Sequence, residues 1–188
     1  MADITSEQAT KITKYASDLM GTVVGKGECF DLVDKALTAA GALSAASYGI
    51  VTPTANYIWG AASSVGLAQA GDIVQFSNYQ YVKTITTKIV KKDGSGSESF
   101  VEDGQGRPHH SAIVSSVEGN GVVTILEQNV GKARKVMTNR LFFTTRAEPE
   151  IITIDPVGTT TTVTTVITVT GTTLFYRPQA VPPAAPTP

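Results

Sequence analysis

The hydrophobic period of this chain changes once, near Gly71, and that change restricts the folds open to it. Upstream, apolar residues recur at helical spacing. Residues 6–20 predict a first helix, with Ser6 as N-cap, Ile12, Tyr15, Ala16 and Leu19 on one face, and Gly21 as its stop. Residues 29–40 predict a second, with Phe30, Val33 and Leu37 on one stripe and Gly41 just past its end. The Ala-, Ser- and Gly-rich stretch 41–70 predicts a loop with a short helix near Trp59. From Gly71 onward strands are predicted over 72–76, 81–90, 110–117, 122–130, 136–144, 151–154 and 163–169. Helices followed by a run of strands define an α+β class.

A chain of 188 residues with 41% hydrophobic content supports one core of ordinary size, so residues 1–178 are expected to form a single domain. Within it, the hydrophilic, Gly-rich segment 91–107 predicts a flexible excursion between two strands. Residues 151–178 predict a Thr-rich β elaboration, and the Pro-rich tail 179–188 predicts disorder. Lys and Arg number 15 against 16 Asp and Glu, a net charge of −1 with no basic stripe, which argues against nucleic acid as a partner. The first residues have no basic and apolar signal pattern, and no apolar run reaches the length of a membrane span. A cytoplasmic location as synthesised is therefore expected, with signal-independent export to a cell wall as a further route.

The single cysteine excludes an internal disulfide and multi-Cys metal sites, and no cofactor is expected. The thiol is then buried filler, a surface accident or a nucleophile. Cys29 falls on the first turn of the second predicted helix, where unpaired backbone N–H groups and the helix dipole stabilise an anion. The only two histidines are adjacent, His109 and His110, at the start of the strand running through Ser111, Ala112, Ile113 and Val114. Alternation places His110 with Ala112 and Val114, and His109 on the opposite face, so one imidazole at most can address a given target. Glu127 and Asn129 alternate on one face of a later strand, with Gln128 on the other. Either could accept an imidazole N–H and orient the ring as a base.

These elements in this order resemble the CHAP family, the cysteine, histidine-dependent amidohydrolases/peptidases. Gly27-Glu28-Cys29 before an apolar helix resembles the nucleophile motif, and Ala70-Gly71-Asp72-Ile73-Val74 resembles the first-strand signature. His110 through Val114 resembles the histidine strand, and Glu127-Gln128-Asn129 the strand of acidic and amide partners. The resemblance spans about residues 10–143. It implies a papain-like fold, with the Cys-bearing helix packed on an antiparallel sheet carrying His. It also implies Cys29 as nucleophile, His110 as general base, Glu127 as orienting acid and Asn129 as a further polar partner. The family commonly has Gly where His109 stands, and the related NlpC-type wall peptidases use a second histidine that this chain does not supply beyond the adjacent pair.

The function implied is a cysteine amidase or endopeptidase working through a thioester acyl-enzyme, with peptides of peptidoglycan as the substrate class. A catalytically silent CHAP-like module that binds peptide or glycan, and a structural protein docking through its Thr-rich strands, are the alternatives.

Overall fold

Residues 1–53 and 55–183 are described by the structure, a computed structural model. Two helices, α1 (Ser6–Asp18) and α2 (Cys29–Ala39), precede eight strands. These are β1 (Ala61–Ser63), β2 (Ile73–Val90), β3 (Gly96–Gly119), β4 (Val122–Glu127), β5 (Met137–Phe142), β6 (Arg146–Ala147), β7 (Ile151–Ile154) and β8 (Thr160–Arg177). All pairings are antiparallel, in the order β1-β8-β2-β3-β4-β5, with β6 and β7 also pairing with β8. The α+β class and the packing of helices on an antiparallel sheet agree with expectation.

The cap of α1 is Thr5, not Ser6: its hydroxyl accepts from the N–H of Gln8, whose side chain accepts from the N–H of Thr5. Gln8 also donates to the carbonyls of Ala40 and Gly41, tying α1 to the end of α2. Ile12 and Ala16 from α1 and Leu32, Val33, Ala36 and Leu37 from α2 bury against Trp59, Ile73, Ile113 and Leu126.

A second apolar cluster occupies the other face of the sheet, around Val74, Phe76, Tyr79, Ala112, Val114, Ile125 and Leu141. The sheet encloses it by curling. β6 follows directly on β5 yet pairs with β8, and the rings of Phe143 and Phe175 lie 5.1 Å apart although β5 and β8 are separated in the sheet by β2, β3 and β4.

Segment 91–107 is not a loop. Only Lys91 to Ser95 make the turn, and from Gly96 the chain runs as β3, paired with β2 from Val90↔Gly96 onward. Pairing with neighbouring strands outweighs the turn-like composition, since Gly104 packs its backbone against the Tyr81 carbonyl where a Cβ would not fit. Nor is the Thr-rich segment peripheral. β8 lies inside the sheet, pairs along β2, and buries Ile167, Phe175 and Tyr176. No helix forms at Trp59; the short 3-10 turns are Ala45–Ser47 and Val65–Leu67, and Trp59 itself is fully buried. The start of the tail is also held, by bridges Asp3↔Gln179 and Ala42↔Ala180, while residues 184–188 lie outside the described residues.

One irregularity in the long strands positions the site. Ser77 pairs with Thr172 and Gln80 with Thr170, so Asn78 and Tyr79 together oppose Gly171 in a bulge. Asn78 takes φ 51 and Gly171 φ 82, and a Cβ on Gly171 would sit 2.1 Å from the Asn78 carbonyl oxygen. The bulge reverses the alternation, and Phe76 and Tyr79 both face the second cluster. Across the ladder, their partners His110 and Arg107 come to the same face.

Candidate functional site

Cys29 opens α2 on a turn made rigid by its neighbours. Asp31 accepts from the N–H of Lys26 at 2.7 Å and of Glu28 at 3.3 Å. Gly25, at φ 61, lies so close that a Cβ would meet the Asp31 carboxyl carbon at 2.7 Å. The glycines therefore shape this turn rather than loosen it. From the other side Gln128, fully buried, accepts from the Val24 N–H at 2.7 Å and donates to the carbonyls of Val24 (3.0 Å) and Glu28 (2.8 Å).

The thiol meets β3 where that strand loses its neighbour. β3 pairs with β4 only from Ile113↔Leu126 outward, and β4 stops at Glu127, so the β3 edge at Ser111 is free to face α2. The backbone N–H groups of Ser111 and Phe30 and the His110 ring lie close enough to the sulfur to act on its charge. Burial pushes the Cys29 thiol up, but the His110 hydrogen bond and charge, with those two N–H groups, hold it below its ordinary value.

His110 Nε2 lies 2.9 Å from Glu127 Oε2. The approach is oblique to the ring N–H, which makes it an ion pair by distance and not a directed hydrogen bond. With Nε2 committed to the carboxylate, Nδ1 is the nitrogen left for the thiol. Burial disfavours the imidazolium, but the Cys29 and Glu127 contacts more than offset this and push its pKa up to about 9. Glu127 is fully buried, which alone would raise its pKa; Arg107 and His110 bring it down to about 2. Its oxygens are saturated: Arg107 Nε donates to Oε2 at 2.8 Å and Nη2 to Oε1 at 2.5 Å, and Asn139 Nδ2 donates to Oε1 at 2.7 Å.

Of the four residues singled out from the sequence, Cys29, His110 and Glu127 are brought together and Asn129 is not placed on the imidazole. Asn129 lies past the end of β4 with φ 67, so strand alternation does not reach it, and its amide donates to Glu28 Oε2 at 2.7 Å. It lines a cleft of about 630 Å³ beside Cys29, with Glu28, Phe30, Pro53, Tyr57 and His109. His109 faces this cleft, away from His110, with Nε2 2.7 Å from the Ala55 carbonyl and its ring edge-on to Tyr57. Below the cleft, Trp59 Nε1 and Ser111 Oγ both donate to the buried Gln75 side chain.

Arg107 and Gln128 escape the sequence reading. Strict alternation from His110 puts Arg107 on the wrong face. The signal that alternation fails there is Pro108, which cannot donate to a ladder and marks an irregularity. Nothing in the sequence distinguishes Gln128 from an exposed strand end. Among the described residues, no group of three or more His, Cys, Asp and Glu side chains converges as a metal site requires, and no helix is long and apolar enough to cross a membrane.

A thiol on a helix start, facing an imidazole held by a carboxylate on a neighbouring sheet, is the arrangement of the cysteine proteinase fold, and a family model carrying that description matches residues 1–145. The chain belongs to the AIM3/BBC1 cysteine proteinase-fold domain family. The match names a cysteine proteinase fold and not the CHAP family in particular. No curated protein and no solved structure matched the chain.

Proposed function

We propose that this protein is a cysteine peptidase or amidase that cleaves an amide bond through a thioester. Cys29 Sγ adds to the carbonyl carbon, its proton resting on His110 Nδ1. The oxyanion forms beside the Cys29 backbone N–H at the start of α2, which has no acceptor within the helix. As the C–N bond breaks, the imidazolium returns its proton to the leaving amine. Water then gives its proton to His110 and attacks the thioester carbonyl, and the thiol is regenerated. Glu127 keeps the imidazole oriented and favours its charged form throughout.

The observation that carries this reading is the contact of a thiol held below its ordinary pKa with an imidazole anchored 2.9 Å from a buried carboxylate, opening on a cleft. The aromatic and polar walls, Phe30, Tyr57, His109 and Asn129, suit an extended peptide. The CHAP-like motifs extend the proposal to peptidoglycan stem peptides and cross-bridges.

Incubating the protein with a peptide library and with several peptidoglycan types, and identifying released fragments by mass spectrometry, tests the proposal. Fragments formed by the wild type and not by Cys29→Ala are expected. Identical profiles would contradict it and favour a silent module that binds peptide in the same cleft.

A further inference from the structure

Arg107 has no step in the chemistry above, yet it makes more polar contacts with Glu127 than His110 does. Arg107 is buried at 3% exposure, and its guanidinium forks onto both carboxylate oxygens. The fork is itself fixed: Nη1 donates to the Gly106 carbonyl at 2.8 Å and Nη2 to Gln105 Oε1 at 3.0 Å. Oε2 is shared, with Arg107 Nε at 2.8 Å on one side and His110 Nε2 at 2.9 Å on the other.

A carboxylate without solvent takes up a proton unless an opposite charge holds it ionised. Glu127 has no exposure, and Asn139 contributes a hydrogen bond but no charge. Because the His110 contact is oblique, it depends on the charge and position of Oε2 more than on a shared hydrogen-bond axis. Both are set by the guanidinium. We infer that Arg107 is a positioning residue that keeps Glu127 ionised and rotationally fixed against His110, and thereby sets the pH range over which Cys29 is a thiolate. This rests on the reading of Cys29 as the nucleophile.

The groups facing the pair come from four elements. α2 contributes Cys29, β3 contributes Arg107, β5 contributes the uncharged Asn139, and β2 contributes Tyr79. Tyr79 does not compete: burial pushes its pKa up, and its hydroxyl donates to the Phe142 carbonyl at 2.6 Å, leaving it a neutral phenol.

The test is the pH profile of Cys29 alkylation by iodoacetamide, which requires no substrate. In Arg107→Met, Glu127 takes up a proton and the imidazolium loses its counter-charge. The thiolate then forms at higher pH and the imidazolium is lost at lower pH. The acid limb is expected to move up by about one unit or more, a roughly tenfold slower alkylation on that limb. Arg107→Lys, which keeps the charge, is expected to recover most of the range.

A folded Arg107→Met whose profile superimposes on the wild type would overturn the inference while leaving the nucleophile reading intact. A wild-type thiol inert below neutral pH would overturn both. Should Arg107→Met fail to fold, Arg107→Met/Glu127→Gln is compared with Glu127→Gln alone. Coincident profiles support an Arg107 acting only through the carboxylate, and a further shift of about one unit or more contradicts it.

Discussion

Strands β2, β3 and β8 pass through two regions of opposite character. At one end, residues 73–81, 105–114 and 167–177, they carry nearly all the buried residues of the sheet's centre, with α1 and α2 on one face and the curl of the sheet on the other. At the other end, residues 82–90, 96–104 and 160–166, they form an arm extended by β7, where Phe100, Val101, Ile151, Ile152 and Ile154 are all exposed. The hydrogen-bond ladder continues through both ends without a break in the β2–β3 register beyond Asn78 opposite Pro108. A ladder alone therefore specifies a sheet but not a site. What distinguishes the buried end is side-chain enclosure, which fixes His110, Glu127 and Arg107 to within hydrogen-bond distances and makes their charges strong.

The largest effect that would break this comparison is on turnover. Cys29→Ala is expected to lower peptide hydrolysis by about 10⁴-fold or more without lowering the melting temperature, because the thiol is half-buried and its loss leaves little cavity. His110→Ala is expected to cost about a thousandfold. His109→Ala, which loses a cleft wall and the Ala55 tether but no proton transfer, is expected to stay within about tenfold, in KM more than kcat. Steady-state kinetics on any cleaved peptide check all three.

Next in size is Gln128→Ala. Its side chain closes three hydrogen bonds to the segment leading into α2, and the truncation strands the Val24 N–H in the interior. A loss of about 2–3 kcal/mol in urea unfolding is expected, with reduced Cys29 reactivity because that turn carries the thiol. A neutral Gln128→Ala would show that the turn holds itself through Asp31 alone.

The buried pair also makes stability depend on pH in both directions. Glu127 falls from 4.5 to about 2 on folding, so its contribution is present above about 4.5 and is lost as pH falls through 2. His110 rises from 6.5 to about 9, so its contribution is present below about 6.5 and is lost as pH rises through 9. The urea midpoint is expected to peak between these limits. Glu127→Gln should flatten both limbs, which denaturation at a series of pH values would reveal.

The smallest effects belong to the arm. Phe100→Ser, at 70% exposure, is expected to change stability by no more than about 0.5 kcal/mol and to leave turnover unchanged. Shortening the hairpin at the paired residues Thr84 and Glu102 should likewise preserve turnover, whereas replacing all of 91–107 removes Arg107 and should not. A shortened protein with impaired Cys29 chemistry would mean that the two regions are coupled.

The helix-then-sheet order was legible because it depends on short-range periodicity, which also put Cys29 on a helix start and His110 and Glu127 each on a strand face. That these three meet was implied only by the resemblance of the motifs to a known family. Legibility stopped where geometry departs from period. The Asn78 bulge carried Arg107 to the Glu127 side, and the end of β4 at Glu127 with Asn129 at φ 67 turned that amide onto Glu28. The arm is illegible for a different reason. Its Gly, Ser and charged residues have turn composition, and they become a strand only because β2 offers a ladder to pair with, which is a tertiary effect that no local window contains.

The central claim is that His110, anchored by Glu127, makes Cys29 a nucleophile, and its most direct measurement is the second-order rate of Cys29 alkylation by iodoacetamide near pH 6 in the wild type and in His110→Ala. A free thiol is almost wholly protonated there, so the imidazole contact should make the wild type faster by at least about tenfold. Equal, slow rates in two folded proteins would contradict the account and leave Cys29 an ordinary half-buried thiol.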